Sequence, residues 1–105
     1  MPRDPLLAAI ERARDRKNEA HCEIRILLAY ARELTAPRPY RLTDLAYAAG
    51  MSISGVRTAY TGHDVTAAAI LLALQPSGAA RDDRHIAASV RALVRDQAGP
   101  STNSI

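Results

Sequence analysis

The chain has 105 residues, 48% of them apolar, with a net charge of +3 and a pI near 9.5. No apolar run approaches the ~20 residues that span a bilayer, and a single cysteine, Cys22, excludes an intramolecular disulfide framework. Ala and Leu dominate, Phe and Trp are absent and β-branched residues are scarce, so the composition predicts an all-α fold, one domain over residues 1–98.

Taken in order, residues 1–4 form a short arm in which Asp4 can cap a helix opened by Pro5. No Gly or Pro interrupts the chain from there to Thr35. Leu6, Ile10, Ala13, Lys17, Ala20, Ile24, Leu27, Ala31 and Leu34 alternate at spacings of four and three, the seam of an amphipathic helix over 5–35. The seam is apolar at both ends and polar through ERARDRKNEAH. Like charges at i,i+4, Glu11 with Asp15, Arg12 with Arg16 and Glu19 with Glu23, also work against an isolated helix there. Either one long helix keeps its second half in the core and offers its first half to a partner, or two helices meet near Lys17. The first reading is preferred, with the protruding half as a dimerisation arm. The thin Ala/Leu core is a further reason to expect a dimer.

Ala36-Pro-Arg-Pro-Tyr-Arg is a loop, because two prolines one residue apart cannot continue a helix. The stretch TDLAYAAGMSISGVRTAYT, residues 43–61, then reads as two short helices joined by a turn. Thr43 is the predicted N-cap of the first, with Asp44 favourable at the positive end of its dipole. Leu45, Ala46 and Ala49 share one face. Gly50 stands where the chain reverses and a left-handed backbone is expected. Met51 plugs the turn, and Ser52 caps a second helix over 52–61 whose inward positions are Val56, Ala59 and Tyr60. Ala46 is small, as a steep crossing of two helices demands.

In Ala46, Gly50, Met51, Ser52 and Val56 the stretch LAYAAGMSISGV resembles the helix-turn-helix of bacterial transcription regulators. The likeness covers roughly a fifth of the chain and resolves no particular family. It implies that the second helix enters the major groove of double-stranded DNA, led by its N-terminal residues. The outward residues there are Ser52, Ile53, Ser54, Arg57, Thr58 and Thr61. Arg57 suits guanine O6 and N7, Ser54 and Thr58 suit a base edge or phosphate, and Ile53 suits a thymine methyl. Arg38 and Arg41, with Thr43, flank the motif where a DNA backbone would pass, and Tyr40 joins Arg38 and Arg41 as a candidate phosphate contact; such contacts position without specifying. Thirteen of the fourteen basic residues are Arg, the better bidentate ligand for phosphate and guanine. A GC-rich coding sequence would produce the same bias.

Beyond Gly62, taken as the stop of the second helix, VTAAAILLALQ predicts a helix from His63 or Asp64 to about Gln75, apolar almost all round and therefore buried or at an interface. A winged variant would place two strands here, but neither alternation nor a hairpin turn is present. Residues 76–82 are a loop. Asp82 or Asp83 caps a last helix to about Gln97, with Ile86, Val90, Leu93 and Val94 on one face and Arg84, Arg91 and Arg95 on the other. Residues 99–105 read as a disordered tail. The expected architecture is five helices with a central helix-turn-helix.

His21, Cys22, His63 and His85 match no zinc spacing, and His63–Asp64 is better read as capping than catalysis. No phosphate loop, carboxylate pair or Ser-His-Asp set is present, so neither enzyme, metal site nor cofactor is expected. The N-terminus becomes charged too early for a signal peptide, predicting a soluble, cytoplasmic, nucleoid-associated protein. The function expected is a homodimeric, sequence-specific regulator of transcription, a repressor in preference to an activator. Two alternatives share its features: a helical module that binds a transcription or partition protein, and an architectural plasmid or phage DNA-binding protein. The residues are silent on any small-molecule effector.

Overall fold

The computed structural model describes residues 4–74 and 83–98. All five elements are helices: α1 Pro5–Glu33, α2 Leu42–Ala49, α3 Ile53–Ala59, α4 Gly62–Ala73 and α5 Asp83–Ala98, and no strand occurs among the described residues. Where a wing would have stood, the chain forms α4. The loop at 76–82, the tail at 99–105, Gln75, Asp82 and Arg3 lie outside the described residues.

α1 is one unbroken helix of 29 residues, about 43 Å long at ~1.5 Å per residue. The Asp4 carboxylate starts it by accepting from the Leu6 and Leu7 N–H groups at 2.8 and 3.4 Å, as expected for Asp before Pro. Among the like-charged neighbours of its middle, Arg14 pairs with Asp15 at 3.1 Å across an exposed surface. The helix stops two residues before the predicted Thr35, whose hydroxyl instead donates to Ala31 O at 2.7 Å.

The second half of α1 is the axis of the fold, and it has two buried sides. Ile26 and Tyr30 pack with Ala68 of α4 and Ile86, Val90 and Val94 of α5. Leu28 packs with Ala46 of α2 and Val56 of α3. Positions 26 and 30 share one side of a 3.6-residue helix while 24 and 28 share another, so one helix separates the α2–α3 pair from the α4–α5 pair. The first half, through His21, contributes no buried residue, and Leu6, Leu7 and Ile10 are exposed.

Of the two expected settings for α4, burial within the chain is limited to Asp64 and Ala68, because one helix face suffices to cover α1 and α5; Ile70 on α4 and Leu74 just past it are exposed. Tyr30 and Tyr40 both donate their hydroxyls to the Asp83 carboxylate, the first at 2.8 Å. Asp83, expected as a cap, is thus the clasp tying the start of α5 to α1 and to the loop before α2. No described helix is long and apolar enough to cross a membrane.

Candidate nucleic-acid interface

The α2–α3 unit is built from local backbone chemistry. α2 begins at Leu42, not at the predicted Thr43. Arg41 takes the cap position in extended conformation without a side-chain cap, and its carbonyl accepts from Leu45 N–H at 3.1 Å. The reason is packing: Leu42, Leu45 and Ala46, at i, i+3 and i+4, all join the cluster around Leu28. Thr43 is left exposed on the outer side.

α2 ends as expected. Gly50 has φ +68°, Gly50 N–H donates to Tyr47 O at 3.3 Å and Met51 N–H to Ala46 O at 2.9 Å. These are the paired bonds of a Schellman turn, which requires a left-handed residue. Ser52 Oγ then accepts from Gly55 N–H at 2.9 Å, capping α3. Gly55 serves that cap: a Cβ there would sit 3.2 Å from Ser52 Oγ. Val56 is wholly buried and anchors α3 against Leu28 and Ala46.

α3 is shorter than its predicted span of 52–61. Tyr60 is extended, which lets it pack beside Val56 and donate its hydroxyl to Glu33 Oε2 at 2.6 Å. Burial, and then that carboxylate, push the pKa of the Tyr60 hydroxyl up to about 12. Thr61 belongs to the next element. Its N–H and hydroxyl donate to Asp64 Oδ2 at 2.9 and 3.4 Å, and Gly62, expected as a stop, is the first residue of α4. Arg25 Nε lies 3.6 Å from the same carboxylate oxygen. Asp64 therefore starts α4 and ties it to α1.

All nine sequence-predicted interface residues, Arg38, Arg41, Thr43, Ser52, Ile53, Ser54, Arg57, Thr58 and Thr61, are exposed. At 100° per residue, Ser54, Arg57 and Thr58 form the side of α3 opposite Val56, with Ile53 at its edge. Some of their hydroxyls already have local work. Ser52 caps α3, Thr58 Oγ1 donates back to Ser54 O at 3.2 Å, and Thr61 is turned toward Asp64. Arg57 forms no ion pair among the described residues, and α3 carries no acid. Thr61 lies past the end of α3, so the helical face narrows to Ile53, Ser54, Arg57 and Thr58. Arg32 Nη1 donates to Tyr40 O at 2.7 Å, holding the loop that presents Arg38 and Arg41. The hydrogen bond to Asp83, followed by burial, raises the Tyr40 pKa above the ordinary tyrosine value.

Tyr47 was missed by sequence reasoning. It stands 91% exposed on the outer side of α2 with Thr43 and Asp44. The signal was available, since position 47 lies one turn beyond Thr43 on a helix whose inward face is Leu42, Leu45, Ala46 and Ala49. Its hydroxyl is a suitable donor to a phosphate oxygen. No group of three His, Cys, Asp or Glu side chains among the described residues is placed to hold a metal ion. Neither a protein-family model, a curated protein nor a solved structure matches this chain.

Proposed function

We propose that this chain is a sequence-specific DNA-binding regulator of transcription, a homodimeric repressor that reads the major groove with α3 and resides with the nucleoid in the cytoplasm. The observation that carries the reading is the outward face of α3. Arg57, Ser54 and Thr58 stand there with Ile53 at the edge, without an acid, on a helix fixed from behind by Val56. A rigid backbone presenting a bidentate donor, two short hydroxyls and an apolar contact is what base-edge readout requires. A helix is about 10–12 Å across with its side chains, so α3 fits lengthwise in a groove ~12 Å wide. Arg38, Arg41 and Tyr47 supply phosphate contacts around it. One such helix spans few base pairs, so two copies on a two-fold site are needed for useful affinity.

The test is selection of a binding site from random duplex DNA, then gel-shift titration of variants. Arg57→Ala is expected to weaken the selected site about 10- to 100-fold and to relax preference at one position. Arg41→Ala is expected to weaken all sequences alike and to flatten the salt dependence by about one phosphate. Unchanged binding by both Arg57→Ala and Ser54→Ala would overturn the assignment. The exposed Tyr47 beside Asp44 also suits a protein partner docking on α2. Failure to bind heparin at low salt would favour that second reading.

A further inference from the structure

The face of α1 that leaves the core does not become polar and stop; it runs between two apolar features that fit each other. At one end is an open cavity of about 260 Å³, lined by Ile24, Leu27, Leu28 and Ala31 of α1 together with Tyr40 and Ala48. At the other end Leu6, Leu7 and Ile10 are 67, 53 and 55% exposed. Leu6 and Ile24 are separated by five whole helical turns, about 27 Å, and so share one line along the helix. The exposed Ala13, Lys17 and Ala20 continue that line between them.

We infer that two copies of the chain pair through antiparallel α1 helices, each apolar tip filling the cavity of the other. With the two-fold axis midway between Asn18 and Glu19, the seam matches throughout. Leu6 meets the level of Ala31 in the second copy, Ile10 meets Leu27, Ala13 meets Ile24, and Lys17 meets Ala20. Arg16 falls near Glu23 on the flank that antiparallel helices share, giving two reciprocal ion pairs at the edge of the groove that Arg91 and Arg95 of α5 also line. The exposed apolar tip, the apolar cavity at the matching level and this charge pair together point to a second copy as the occupant, in this register. The small residues at 13 and 20 permit close approach, and the stem of Lys17 lies along Ala20. On α5, Arg84 is exposed, while Arg91 and Arg95 border the groove beside Arg16, Glu19 and Glu23 of α1.

The pairing gives a form to the homodimer of the proposed function and rests on that reading only for its bearing on DNA. Leu28, against which the α2–α3 unit packs, would lie about 30 Å from its equivalent in the second copy, from ~1.5 Å rise and ~9 Å helix spacing. Successive major grooves on one side of a duplex recur at ~34 Å.

Sedimentation equilibrium of the full chain tests the pairing without DNA. The wild-type chain is expected to be a dimer at micromolar concentration, and Ile10→Asp a monomer with unchanged helical content by circular dichroism, since Ile10 touches no core. Arg16→Glu and Glu23→Arg are each expected to weaken self-association about tenfold, since each turns two attractions into repulsions. Mixing the two variants in equal amounts should restore the dimer as a heterodimer, because both pairs become complementary again. A monomeric wild-type chain, an Ile10→Asp protein that still dimerises, or a mixture no tighter than its components would overturn the inference. A monomer whose cavity takes up an amphipathic peptide would do the same. Loss of DNA binding with the dimer intact would count against the DNA reading and leave the pairing standing.

Discussion

Asp64 offers the sharpest test of how the reading unit is held. It is a nearly buried carboxylate, 8% exposed, at the junction where α3 gives way to α4. It accepts from Thr61 N–H at 2.9 Å and Thr61 Oγ1 at 3.4 Å and lies 3.6 Å from Arg25 Nε. In Asp64→Ala the helix start loses its reciprocal acceptor, worth about 1 kcal/mol. Arg25, whose side chain is 34% exposed, also loses its partner, for about 1 kcal/mol after solvent screening. The two losses amount to about 2 kcal/mol, or roughly 10 °C in Tm for a domain of this size. Asp64→Asn keeps an acceptor for Thr61 N–H and should fall by about half as much. Urea unfolding followed by circular dichroism measures both, and a double-mutant cycle with Arg25→Met isolates the ion pair. If Asp64→Ala cost under about 0.5 kcal/mol, as ordinary surface substitutions do, the carboxylate would not be the tie described.

Two further expectations follow from the same unit. Gly50→Ala should cost about 1 kcal/mol through its backbone alone, since φ is +68° and a Cβ would meet nothing within 4 Å. A neutral result in a thermal melt would mean the turn adopts another conformation. Tyr60 is held protonated well above the ordinary tyrosine value of about 10. The stability it contributes is therefore complete below pH ~10 and lost as pH rises through about 12. Urea midpoints at pH about 9 and about 11 should diverge in the wild-type chain and diverge less in Tyr60→Phe, and equal divergence in both would refute it.

Much of the architecture is legible in the residues themselves. The all-helical class, the unbroken α1, the left-handed Gly50, the Ser52 cap and the inward Ala46 and Val56 all depend on forces that act within a few residues. Backbone freedom, capping and 3.6-residue periodicity are local, and residue types report them directly. Expectations fail where a local signal has two outcomes. Glycine can open a helix as well as end one, and at Gly62 the decision comes from Thr61 and Asp64. A threonine can cap only if the chain before it is not already helical, and burial of Leu42 makes it so at Thr43. On the candidate interface, the exposure of the α3 face follows from periodicity. That Thr61 lies outside it, and that Tyr47 stands beside it, does not.

The sequence by itself determined which segments are helices and which side of each is apolar. Only the tertiary structure decided which apolar sides meet. The two-sided packing of α1, the Tyr30–Asp83–Tyr40 clasp, the Arg25–Asp64 tie and the cavity above Ile24 join residues distant along the chain. Such contacts arise when helices choose among several apolar partners. No residue's own propensity encodes that choice; it is set by how side-chain volumes and buried polar groups can be satisfied together.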